Sequence, residues 1–182
     1  MNSLRGQSRR RVAWTGIWAA FLATVGLAAD VSEQVSLPDD FRTQFVHLGS
    51  WFVPEGDASG FHDVYASPGT AAHYRINGEF PDGAILVKEL RASKSAAYST
   101  GADVSSATAQ VKQWFVMVKD QQGRFAGNTL WGDGWGWGLF KPDDPGKNIA
   151  SDYKTDCIGC HIPAKDSDYI YVDAYPTLTA SD

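Results

Sequence analysis

Cys157-Ile158-Gly159-Cys160-His161 is where this sequence concentrates its chemistry, placing two thiols and an imidazole within five residues. At this spacing the thiols can add to the two vinyl groups of a haem, and the histidine that follows at once can ligate the iron. These are the only two cysteines in the chain. A structural disulfide, half of a zinc site and a thioredoxin-like redox pair are the competing uses of the same residues. Zinc requires two more ligands at ordered spacing, whereas His47, His62 and His73 lie scattered far upstream. A redox pair has no need of the adjacent histidine and ordinarily opens a helix after a βαβ strand. The motif therefore implies one covalent haem c per chain, with Cys157 and Cys160 holding the macrocycle and His161 on the iron.

Only 21 residues follow His161, and none is Met. The one internal methionine, Met117, falls in the middle of an expected strand, where packing is its commoner use. With no clear sixth ligand, a five-coordinate iron is expected, open on one face to a small molecule. A plain electron-carrying cytochrome would need that ligand.

The other end of the chain agrees. Arg5, Arg9, Arg10 and Arg11 precede an apolar run from Val12 to Leu27 that ends in small residues at Ala28-Ala29. This is the pattern of a secretory signal peptide, and its apolar core of about 16 residues is short of the roughly 20 needed to span a bilayer. Residues 1–29 are read as a cleaved leader, 30–182 as a single haem domain, and the periplasm as the compartment, since haem c is attached outside the bacterial inner membrane. Removing the leader takes four Arg and no acid, leaving 12 basic against 21 acidic residues, a formal charge of −9 instead of −5. Nucleic acid and anionic lipid are poor partners for such a chain.

The elements between these ends must position the motif. Leu37-Pro38-Asp39-Asp40 reads as a turn or helix start, 45–53 as a strand ended by Pro54, and 61–65 as a second strand. Ser67-Pro68 opens a helix expected to stop at Gly78. Strands follow at 84–91, 111–120 and 131–141, with a polar Ser/Ala/Gly-rich loop at 92–109. The haem motif sits on short helices, since Pro163 prevents a long one. The fold class is α+β, a predominantly antiparallel sheet with a few helices.

Strand alternation puts Ala84, Leu86, Lys88 and Leu90 on one face, and Gln113, Phe115 and Met117 on one face of the next strand. A lysine within an aliphatic stripe is either an edge-strand guard against pairing or a residue put to use. Glu89 points the other way, to a surface ion pair worth little. Trp131, Trp135 and Trp137 alternate with glycines, so that something flat can approach the backbone on the bare side.

Beyond the haem motif, Val64-Tyr65, Pro68, Ala72-His73, Gly78-Glu79-Phe80, Asp82-Gly83 and Val87-Lys88-Glu89-Leu90 follow in an order and spacing that resemble the cytochrome P-460 / cytochrome c′-beta family. Asp168-Tyr169 and Tyr175-Pro176-Thr177-Leu178 resemble its tail, so the similarity runs from about Leu37 to Leu178. The resemblance implies a periplasmic mono-haem protein, usually a homodimer, with a five-coordinate iron that binds nitric oxide. In the enzymatic branch a lysine is cross-linked to the haem macrocycle and hydroxylamine is oxidised; in the c′-beta branch the distal wall is Phe and gas binding replaces oxidation. Lys88 falls on the cross-linking lysine, which displaces the edge-strand reading. The distal carboxylate of the enzymatic branch falls on Phe115, which cannot accept a proton. His62 stands where relatives carry an Arg and is a candidate polar group at the pocket.

The expectation is a haem protein binding nitric oxide or a related small nitrogen oxide or amine in an apolar distal pocket. Hydroxylamine oxidation is the alternative, with His62, Glu89 or a propionate-bound water as its base and a partner cytochrome as its electron acceptor. A plain electron-transfer cytochrome is the third reading.

Overall fold

The computed structural model describes residues 31–179; the expected leader lies outside them. Its frame is one six-stranded antiparallel sheet in the order β1-β2-β3-β4-β6-β5. The strands are β1 (Val46–Val53), β2 (Gly60–Ala66), β3 (Ile85–Tyr98), β4 (Gly101–Lys119), β5 (Trp131–Gly132) and β6 (Trp135–Phe140). Helices are short: α1 (Phe41–Gln44), α2 (Thr70–Asn77), α3 (Tyr153–Asp156) and α4 (Ile158–His161), followed by 3-10 segments at Ile162–Ser167, Val172–Ala174 and Pro176–Leu178. The α+β class read from the sequence holds. Among the described residues no helix is long and apolar enough to cross a membrane.

Both faces of the sheet are covered. On one, Leu48, Val64, Leu86, Met117, Trp135 and Trp137 pack against α2 and the C-terminal segment through Ala71, Tyr153, Ile170 and Leu178. On the other, Val87, Trp114, Val116 and Phe140 pack against the N-terminal segment through Val35 and Phe41. This second cover corrects the reading of Glu89 as a surface residue. Its carboxylate is 1% exposed, accepts from the Arg42 guanidinium and from Trp114 Nε1–H at 2.8 Å, and lies 3.5 Å from Arg91 Nε. We expect Glu89→Ala to destabilise the fold by about 2–3 kcal/mol, because it strands the buried indole N–H and removes the carboxylate that Arg42 and Arg91 share. A denaturant midpoint within experimental error of the parent would contradict this.

Other differences have local causes. Residues 92–109 are not a loop: β3 and β4 continue as a two-stranded arm, with Ser93↔Ala107, Ser95↔Ser105 and Tyr98↔Gly101 paired. The expected strand at 131–141 is a hairpin, because Asp133 (φ 53) and Gly134 (φ 81) form the positive-φ turn that a two-residue connection favours. The flat groups admitted by its glycines are aromatic rings: a Cβ on Gly136 would meet the Trp131 indole at 2.6 Å, and one on Gly132 the Tyr153 hydroxyl at 2.3 Å. Helix α2 stops at Gly78 as expected but starts at Thr70, with Gly69 as its cap. Ser67 instead ties the helix to the sheet, its Oγ meeting Thr70 Oγ1 at 2.9 Å and accepting from Ile85 N at 3.0 Å.

Candidate functional site

Strand pairing sets three same-face rungs across the sheet. Ala66, Leu86, Met117 and Trp137 form the first, Val64, Lys88 and Phe115 the second, and Trp51, His62, Leu90 and Gln113 the third. The C-terminal segment with α3 and α4 closes over this face and leaves a cavity of about 510 Å³. Cys157, Cys160, His161, Lys88, Phe115 and His62 all line it. Residues separated by up to 99 positions thus meet in one place. Glu89 does not join them, since it faces the opposite core. Trp137 lines the cavity, whereas Trp131 is buried in the other core.

The motif is held by its own turn chemistry. Asp152 caps α3 through the backbone N–H of Lys154 at 2.8 Å. The backbone N–H groups of Ser151 and Asp152, with the Ser151 hydroxyl, hold the Asp156 carboxyl down at about 2. Tyr171 donates its hydroxyl to Cys160 O at 2.7 Å. Burial pushes the Cys157 thiol up to about 11, with the Asp156 and Cys160 charges adding to the effect. A redox-active Cys-X-X-Cys thiol is depressed instead, so the thioredoxin-like reading loses its physical basis. Among the described residues no group of three or more His, Cys, Asp or Glu is gathered to hold a metal ion, so a zinc site has no further ligands.

His161 is oriented for an iron. Its Nδ1 lies 2.8 Å from Tyr169 O, and because a carbonyl only accepts, Nδ1 carries the proton and Nε2 keeps its lone pair. Burial lowers its pKa and the Lys88 charge adds to that, against the Tyr169 bond. Trp137 meets the ring edge-on at 5.0 Å, and Tyr153 stacks on Trp137 at 5.9 Å. Two thiols and a free imidazole nitrogen on the wall of one largely apolar cavity fit a haem c.

Lys88 lies on an interior strand, between β2 and β4, so it guards no edge. Its Nζ sits 4.2 Å from the centroid of the Phe115 ring directly opposite. Among the described residues its ammonium has neither an ion-pair partner nor a hydrogen bond. Burial lowers its pKa, and the nearby Cys160 charge alone opposes that. Once Cys160 is a thioether that opposing charge is gone, and the amine moves further toward neutrality.

His62 is buried and stacked on Trp51 at 5.0 Å. Its Nε2–H donates to Ala58 O at 2.8 Å, leaving Nδ1 buried and unpartnered. Burial lowers its pKa despite the Ala58 bond, and the Lys88 charge adds to the lowering. It is therefore a neutral imidazole pinned to the loop before β2.

Among the residues lining the cavity are Gln113, which the sequence placed on the right face without a role, and Lys141, which it left unassigned. Alternation along the strands carried the signal for both, since Gln113 shares its face with Phe115 and Lys141 its face with Trp137. Neither type in isolation marks a site.

A family model, Cytochrome P460, matches residues 38–172. No curated protein matches the chain.

Proposed function

Because the chain belongs to the cytochrome P460 family, and is thereby a haem c cytochrome, we propose that it binds nitric oxide or a related small nitrogen species at an open iron face in this cavity. The observation that carries the reading is the convergence of Cys157, Cys160 and His161 on one cavity with an apolar wall at Phe115. Bound there, the haem would supply an iron able to take a diatomic ligand. The chain's own residues do the rest. Cys157 and Cys160 anchor the macrocycle, and the Tyr169 carbonyl orients His161 and keeps its Nε2 unprotonated. Phe115, Leu86 and Val64 exclude water and disfavour charged or strongly hydrated ligands. The protein is further proposed to be exported by its leader to the periplasm and to work as a homodimer.

Hydroxylamine oxidation is the second reading, and Lys88 favours it. A half-buried amine of lowered pKa, unpartnered among the described residues, is a nucleophile facing the haem cavity. A bond from Nζ to the macrocycle replaces one N–H and one C–H by N–C, and so consumes a two-electron oxidant of the peroxide class. We expect a tryptic digest of the mature protein to yield one species joining the Lys88 peptide to the Cys157–Cys160 haem peptide. Recovery of free Lys88 peptide and unmodified haem c in full yield would remove this branch and leave gas binding.

A further inference from the structure

The cavity carries a second cation, at the end of β6, which haem attachment does not use. Lys141 continues the face of Trp137, and its Nζ donates to Gln113 Oε1 at 2.6 Å. Gln113 stands one same-face step along β4 from Phe115, about 7 Å from the Lys88–Phe115 rung. The ammonium spends one proton on Gln113 and keeps two; among the described residues it meets no carboxylate. The same bond fixes the Gln113 amide, since only its oxygen can accept from an ammonium. Among the described residues its NH₂ finds no protein acceptor, so the two side chains present several N–H donors and one positive charge to a largely apolar cavity.

The other Asp, His and Lys residues lining the cavity are Asp57, Asp156, His62 and Lys88, besides the motif itself. Asp156 is ionised but engages the amides of its own turn, and His62 is neutral. Asp57 lines the cavity where its carbonyl accepts from Lys112 Nζ at 3.2 Å. Lys88 adds a second cation when protonated. A donor-rich, cationic grip beside an apolar wall matches a small planar oxyanion, because every bond to it is charge-assisted in a medium of low dielectric.

We propose that Lys141 and Gln113 bind a planar oxyanion, either a haem propionate or a free nitrogen oxyanion of the nitrite type. The propionate source rests on the haem reading; the free oxyanion does not. Three proteins separate the sources: the parent, Lys141→Met and Lys141→Arg, each first assayed for haem content as the pyridine haemochrome. Nitrite is titrated against each by tryptophan fluorescence and, where haem is present, by the Soret band. The midpoint potential is followed from pH 5 to 8. If the oxyanion is a propionate, Lys141→Met moves the redox-linked proton transition upward by at least about one pH unit and leaves nitrite affinity alone. If it is free, nitrite binding weakens at least about tenfold, the lower end for a hydrogen bond to a charged group, and the potential curve stays put. Lys141→Arg retains the parent behaviour in either case. Parent-like nitrite affinity and potential in haem-loaded Lys141→Met overturn the proposal; the fluorescence titration tests the free-oxyanion source at any haem content.

Discussion

Replacing Phe115 by Glu raises the rate of hydroxylamine oxidation by about 10²- to 10⁴-fold, the range a positioned general base contributes. The parent chain offers no proton acceptor on this wall. Phe115 cannot take a proton, Glu89 lies on the opposite face under Arg42 and Trp114, and His62 is a rung away, its Nε2 held by Ala58 O and its Nδ1 buried. A carboxylate at 115 would arise directly opposite Lys88. Its strength as a base then depends on the state of that lysine. A free ammonium would pair with it and lower its pKa, whereas a lysine bonded to the macrocycle would leave the carboxylate free. The gain should therefore be largest in protein whose Lys88 peptide is recovered joined to the haem peptide. Phe115→Gln serves as the control, being polar and of similar reach but unable to act as a base. Stopped-flow mixing of ferric protein with hydroxylamine and a chemical oxidant measures the rates. Rapid turnover by the parent, or an equal gain in Phe115→Gln, would contradict the role given to this position.

Removing the thiols and removing the imidazole have different consequences. The double variant Cys157→Ala, Cys160→Ala loses haem altogether from a denaturing gel stained for haem peroxidase activity, because nothing covalent remains. His161→Gly keeps the stained band, since both thioethers survive, but loses the bond that the Tyr169 carbonyl orients. The cavity left by the side chain lies beside Trp137 and is the size of an imidazole, so millimolar imidazole should restore most of the parent spectrum. A haem-stained band from the double variant, or a parent-like spectrum from His161→Gly without imidazole, would show that the haem is held elsewhere.

Much of this site was legible in the sequence because strands report their faces by parity. The stripes Leu86–Lys88–Leu90 and Gln113–Phe115–Met117 came out on one shared wall, as their alternation implied. The failures are equally physical. Ser, Ala and Gly between 92 and 109 have weak strand preference, and they form strands because β3 and β4 zip onward from a register set below them. Trp131 reads in phase with Trp135 and Trp137. A two-residue turn, however, preserves odd–even parity along the chain while reversing the face, which sends Trp131 into the opposite core. Glu89 was given its correct face and the wrong environment, since nothing in its own strand announces that Val35, Phe41 and Arg42 cover that side.

The ferrous spectrum of the purified protein before and after nitric oxide tests the open iron face most directly. An iron held by His161 alone beside the Phe115 wall predicts a high-spin, five-coordinate ferrous haem that changes completely on adding one equivalent of nitric oxide. A low-spin spectrum in both oxidation states, unaltered by nitric oxide, would mean that a side chain fills the sixth position, and would contradict the open face on which the proposed function depends.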